Sequence, residues 1–201
     1  MVTIKMSGTN KESLRHQLDQ IPGKTPEDAN CHRKRIERLR ADSPHTIEWV
    51  EAGDTRIYCY EYALGICPEI VKEVTSIFPC ILNEFVNSAM MSFLEKIEES
   101  EASPDAIIIY FNEGRQMHAG YMEDRRVISK WGLNPVYKHE IFEVPAAYGN
   151  EVRFFRKPAD LFITIKFIEF VRCHPRYIDF KKLFEDRVTE CGYVDFSNPT
   201  T

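Results

Sequence analysis

The stretch Asp105-Ala106-Ile107-Ile108-Ile109-Tyr110-Phe111 constrains this chain more than any other. Three consecutive isoleucines followed by two aromatics suit a strand buried on both faces. Two more strand-like runs follow after short polar turns. Residues 116–122 come after Asn112-Glu113-Gly114, and residues 126–130 after Glu123-Asp124-Arg125. Residues 136–144 read as a fourth strand and 151–155 as a fifth. Turns this short can only join antiparallel neighbours, so the region predicts a meander.

Helical signals lie on both sides of it. Pro26-Glu27-Asp28 opens a helix over residues 26–40, since proline and acids suit a first turn. Cys59-Tyr60-Glu61-Tyr62-Ala63-Leu64 is a compact helix signal, and residues 68–78 follow as another. Residues 81–99 predict one long helix, with Leu82, Phe85, Val86, Ala89, Met90, Phe93, Leu94 and Ile97 at helical spacing. Lys157-Pro158 starts a helix that runs to about residue 173 and is closed by Pro175. A short helix over 179–187 precedes a polar tail at 191–201. Residues 1–25 read as a flexible or peripheral segment holding a short helix over 11–20. Ala52-Gly53-Asp54 reads as a turn and residues 55–58 as extended. Helices first, then strands, then a helix give an α+β fold, with helices packed on an antiparallel meander in one domain over 26–190.

A chain of 201 residues can bury a substantial core. Its net charge of -5 argues against a nucleic-acid surface. The basic run from Arg33 to Arg40 alternates with Ile36, Glu37 and Leu39, which is the pattern of a solvated helix face. The first residues lack the apolar core of a secretory signal. Residues 161–171 are apolar but interrupted by Thr164, Lys166 and Glu169, and fall short of the roughly 20 residues a bilayer span needs. The expectation is a cytoplasmic chain without membrane association, its six cysteines reduced. No CxxC pair occurs, and the adjacent Cys31-His32 and Cys173-His174 are poorly spaced for tetrahedral ligation. Neither a metal nor an organic cofactor is expected. The oligomeric state is not legible.

Chemistry concentrates on Cys59 and His118. A cysteine nucleophile acts as thiolate, and a helix start plus an imidazole partner can lower its pKa. Cys59 stands at a strand-to-helix junction, so a lowered pKa is expected. His118 lies inside a strand at the centre of the sheet, followed by small Ala119 and Gly120 that leave room for a substrate. Strand alternation puts Gln116, Gly120 and Met122 on its face. A third polar group must hold the imidazole in the right tautomer. His139 ranks first for that role and Ser129 second, while Lys130 would oppose a cationic imidazole. Tyr58, Tyr60 and Trp131 are candidates to line a substrate groove, and Tyr148-Gly149 reads as a turn.

The order of these pieces resembles the papain-like cysteine peptidase and amidase superfamily in its NlpC-like branch. That branch has a cysteine opening a helix, a Gly-Asp-led apolar strand, and His-Val-Gly-Ile-Tyr. The corresponding pieces here are Tyr58-Cys59-Tyr60-Glu61, residues 105–111, and His118-Ala119-Gly120-Tyr121. The resemblance covers residues 50–155. Ser129-Lys130-Trp131-Gly132, with Val144-Pro145-Ala146-Ala147-Tyr148-Gly149, is similar to a poorly characterised papain-like subfamily. The chain departs from the branch at the nucleophile, where Tyr-Cys-Tyr-Glu replaces Asp-Cys-Ser-Gly, and before Asp105, where proline replaces glycine. The resemblance implies a cysteine hydrolase or acyltransferase, that is, a thiol protease or amidase acting on a peptide, isopeptide or glutamine amide bond. Its substrate would be a peptide or protein, and the chain an intracellular hydrolase or a delivered effector. The alternative is an inactive papain-like domain serving as a protein-binding or immunity-type module.

Overall fold

The computed structural model describes residues 4–5, 9–21, 26–53, 57–133 and 135–193. Asp54, Thr55 and Arg56 of the expected turn and extended stretch lie outside the described residues, as does the tail beyond Tyr193. The sequence leads one to expect a single domain over 26–190; contacts instead divide the chain into two compact units. The first comprises residues 1–64 and 94–157, the second 65–93 and 158–201.

An antiparallel sheet dominates the first unit. Its strands are β1 (Ile4–Lys5), β2 (Glu48–Glu51), β3 (Lys96–Ile97), β4 (Ile107–Asn112), β5 (Arg115–Glu123), β6 (Arg126–Lys130), β7 (Val136–His139) and β8 (Glu151–Phe155). The spatial order is β1-β8-β4-β5-β6-β7-β2, with β3 also paired to β8. The expected meander is β4-β5-β6-β7, each strand beside its sequence neighbour. Two-residue loops make this possible: Glu113-Gly114 and Asp124-Arg125 all take positive φ, between 49° and 78°. That backbone twist matches the right-handed twist of the strands it joins. β4 lies between β5 and β8, which accounts for the near-complete burial of residues 107–111.

Three helices accompany this sheet: α1 (Thr9–Asp19), α2 (Pro26–Leu39) and α3 (Cys59–Leu64). Ile108, Tyr110, Met122, Val127, Tyr137, Val152 and Phe154 form one core with Leu14 and Leu18 of α1 and Ile36 of α2. The expectation that residues 1–25 are peripheral is thus corrected. Leu14 and Leu18 are each 2% exposed, and each such burial stabilises by about 1.5–3 kcal/mol. The polar look of the segment arises because α1 shows the core only one narrow stripe. The fold is therefore α+β, as expected.

The expected fourth strand is shorter than residues 136–144. β7 stops at His139 because the Glu143 carboxylate turns back, accepting from the Thr46 N–H at 2.9 Å, the Thr46 hydroxyl at 2.7 Å and the Glu140 N–H at 3.3 Å.

The second unit holds α4 (Pro68–Ile77), α5 (Ile81–Ser88), α6 (Asp160–Cys173) and α7 (Lys181–Glu190). Phe85 packs edge-on against Phe167 and Phe170, with centroids 5.3 and 5.5 Å away. The expected helix over 81–99 breaks after Ser88. The Ser88 hydroxyl takes the Glu84 carbonyl at 2.5 Å, and the Ser92 hydroxyl takes the Ala89 carbonyl at 2.6 Å. Such bonds compete with the helical ladder. A 3₁₀ turn at Met90–Ser92 follows. Ile97 then pairs with Phe154 in the sheet, so its helical spacing from Phe93 is coincidental. Among the described residues, no helix is long and apolar enough to cross a membrane.

Candidate active site

Cys59 owes its position to the cap of α3. The Tyr58 N–H donates to Glu61 Oε2 at 2.8 Å, and the Tyr58 carbonyl accepts the first intrahelical bond from Tyr62 at 3.1 Å. Glu61 thus ties off the chain as the third residue of a capping box would, and Cys59 becomes the first residue of the helix. α3 packs on β5 and β6. Tyr62 helps fix it there, stacking on Tyr121 with centroids 6.0 Å apart and donating its hydroxyl to Glu51 at 3.2 Å.

The β5–β6 ladder begins only at Tyr121↔Ile128, so the preceding β5 residues lack a β6 partner. The backbone amides of Ala119, Tyr60 and Cys59 itself lie near enough to the Cys59 sulfur to favour its thiolate. Gly120 lets β6 pass close to β5. A Cβ there would lie 2.6 Å from the Ile128 carbonyl oxygen and 2.8 Å from Val127 Cγ1.

The thiol is not activated at rest, which corrects the sequence expectation. Burial pushes the Cys59 pKa up to about 11, against three backbone donors that pull it down, and the nearby Glu61 charge adds to the rise. Desolvation of a charge outweighs amide dipoles when the helix has only six residues.

His118 is 1% exposed. It faces Tyr110 across the β4–β5 ladder, with ring centroids 5.5 Å apart. The Tyr148 ring lies over it at 3.9 Å and an interplanar angle of 15°. Its Nε2 is buried with no hydrogen-bond partner among the described residues. Burial, and then the neighbouring His139, hold its pKa well below the usual imidazole value. The ladder pairs His118 with Tyr110 but Gln116 with Phe111, so Met117 is an extra, bulged residue. The bulge reverses the alternation. His118 keeps Gly120 and Met122 on its face but not Gln116, which corrects the simple period-two reading.

Ser129 and His139 come together, but with each other. Pairing of Ser129 with Tyr137 and of Val127 with His139 sets both side chains in the core. His139 Nδ1–H donates to the Glu140 carbonyl at 2.8 Å, which leaves Nε2 to accept from the Ser129 hydroxyl, also at 2.8 Å. Ser129 Oγ in turn accepts from Trp131 Nε1–H at 2.9 Å. Both ring nitrogens of His139 are therefore committed, and neither residue hydrogen-bonds His118 in this arrangement. Burial lowers the His139 pKa to about 4, the Glu140 carbonyl partly opposing the shift. Trp131, expected at a groove, is instead a core residue at 1% exposure. Ser129 supplies the acceptor that lets the indole N–H be buried with its ring. Tyr60 is likewise buried, its hydroxyl without a hydrogen-bond partner among the described residues. Tyr58 alone of the three groove candidates is exposed.

Tyr148 is the member that sequence reasoning missed. It ends a 3₁₀ turn at Ala146–Tyr148, before Gly149 at φ 103°. Reading Tyr148-Gly149 as a turn was right for the backbone and silent on the ring. Burial raises its hydroxyl pKa above the usual phenol value, and the Cys59 charge contributes next, so the phenol and the thiol share one neighbourhood. Among the described residues, no group of three or more histidine, cysteine or acidic side chains is arranged to hold a metal ion. No protein-family model, no curated protein and no solved structure matches this chain.

Proposed function

We propose that the first unit is a papain-like, NlpC-type domain and that Cys59 and His118 carry out acyl transfer on an amide bond of a peptide or protein. One observation carries this reading. His118 holds an unpartnered buried nitrogen, and the backbone amide of the next residue, Ala119, lies near enough to the Cys59 sulfur to favour its thiolate. Leaving a buried polar nitrogen unsatisfied costs about 1–3 kcal/mol, a cost that packing alone gives no reason to retain.

With the thiol pKa up and the imidazole pKa down, the resting pair is neutral. The mechanism is then general-base catalysis, unlike a preformed thiolate–imidazolium pair. As sulfur attacks the carbonyl carbon, the thiol proton passes to His118 Nε2. The carbonyl electron pair moves to oxygen, where backbone N–H groups at the start of α3 supply donors. Collapse expels the amine, which takes the proton from His118, and leaves a thioester on Cys59. Water or an acceptor amine then releases the acyl group. A reducing, cytosolic setting would keep the thiol free.

A second reading rests on burial: a high-pKa thiol and a deeply buried histidine suit an inactive module that binds a protein partner. Intact-mass analysis after incubation with small acyl thioesters separates the two. An acyl adduct on Cys59 that is lost in Cys59→Ala and reduced at least tenfold in His118→Ala supports the enzyme. No adduct across a panel of acyl donors, with the protein folded, supports the module.

A further inference from the structure

We infer that Tyr148 is the positioning residue of His118, acting by ring stacking where a hydrogen-bonding side chain is usual, and that Arg15 of α1 holds it in place. The inference rests on reading Cys59 and His118 as the working pair.

The orienting role is open because Ser129 and His139 satisfy each other. Tyr148 covers one face of the imidazole at 3.9 Å and 15°, while Tyr110 flanks it at 5.5 Å and 46°. Two neutral rings favour offset or edge-on packing with centroids about 4.5–7 Å apart. A closer, nearly parallel stack suits a cationic ring over a phenol face. Such a stack therefore stabilises the imidazolium of the acyl-transfer step more than the neutral imidazole at rest. That is the differential a positioning group must supply.

The loop carrying Tyr148 is pinned on both sides. The Arg15 guanidinium, itself 2% exposed, donates to the carbonyls of Pro145, Ala146 and Gly149. Asp19, one turn along α1, accepts the Ala147 N–H at 3.1 Å. From the other side the Asn150 N–H donates to the Phe111 carbonyl at 3.1 Å. Gly149 lies so close to Phe111 that a Cβ would stand 2.2 Å from that carbonyl oxygen. One nitrogen of a buried cation reaching three carbonyls of one short turn fixes that turn to within the tolerance of hydrogen bonding. The charged and titratable groups around His118 are Tyr110 of β4, His139 of β7 and Tyr148, with Cys59 and Asp19 acting on Tyr148 and Arg15 on Tyr110.

The test uses the full chain. Long-range nitrogen–proton NMR reads the His118 tautomer and ring-proton shifts, and a peptidyl chloroacetamide reads Cys59 labelling at pH 7. Tyr148→Phe keeps the stack, and should keep the upfield ring shifts and label within twofold of wild type. Tyr148→Leu should lose those shifts and label at least tenfold more slowly, while exposed Cys31 and Cys173 label unchanged. Asp19→Asn, at an exposed position, should give a smaller loss of the same kind and serves if Arg15→Met does not fold. A Tyr148→Leu protein with wild-type ring shifts and labelling overturns the inference. Wild-type labelling in His118→Ala instead refutes the Cys59–His118 reading, and the NMR shifts still decide whether Tyr148 positions the ring.

Discussion

Alkylation of Cys59 by iodoacetamide should be slow at neutral pH and should accelerate into the alkaline range. A thiol with a pKa of about 11 is ionised to about one part in 10⁴ at pH 7, against about 3% for an unperturbed thiol near 8.5. That difference is about 300-fold. A more basic thiolate is intrinsically more nucleophilic, and a Brønsted slope of about 0.4–0.5 recovers about tenfold of it. The net expectation is about 30-fold slower modification than at exposed Cys31, Cys80 and Cys173. The assay is peptide mapping of iodoacetamide adducts against time, from pH 6 to 10. The Cys59 rate should rise about tenfold per pH unit with no plateau near neutrality. Cys59 reacting fastest at pH 7, or a plateau below pH 8, would refute the neutral-pair account and point to a preformed ion pair.

Two further outcomes follow from the same geometry. His139 titrates at about 4 in the fold and near 6.5 when unfolded. The unfolded chain therefore binds the proton more tightly, and stability should fall as pH drops from about 6.5 towards 4, by about 3 kcal/mol from this group. His118 acts in the same direction, and a urea midpoint that stays constant between pH 7 and 4.5 would contradict this. Gly120→Ala would place a Cβ 2.6 Å from a backbone carbonyl of β6, costing about 1–3 kcal/mol. A melting temperature unchanged in that variant would show that β6 yields.

How much of this was legible beforehand depends on how local each determinant is. The β4–β5–β6 meander was readable because strand, turn and strand are adjacent in sequence, and because Glu113-Gly114 and Asp124-Arg125 leave no room for another connection. Cys59 at a helix start was readable for the same reason. The site's failures are all non-local. Ser129 and His139 were expected to serve His118, but their register across β6 and β7 aligns them with each other and with Trp131. Tyr148 reaches His118 only because Arg15, 130 residues or more earlier, gathers its loop. Burial of α1 was hidden by a polar sequence with a thin apolar stripe. The thiol pKa was misjudged because helix position is visible in a sequence and desolvation is not.

The central claim is that His118 is the base for Cys59. The most direct measurement is the rate at which a peptidyl amide electrophile labels Cys59 at pH 7, in wild type and in His118→Ala, with both proteins shown to be folded. The account predicts directed labelling in wild type, faster than iodoacetamide at the same site, and a loss of about 10²–10⁴-fold without the imidazole. Equal rates in the two proteins would mean that Cys59 and His118 are neighbours in a core and not a catalytic pair.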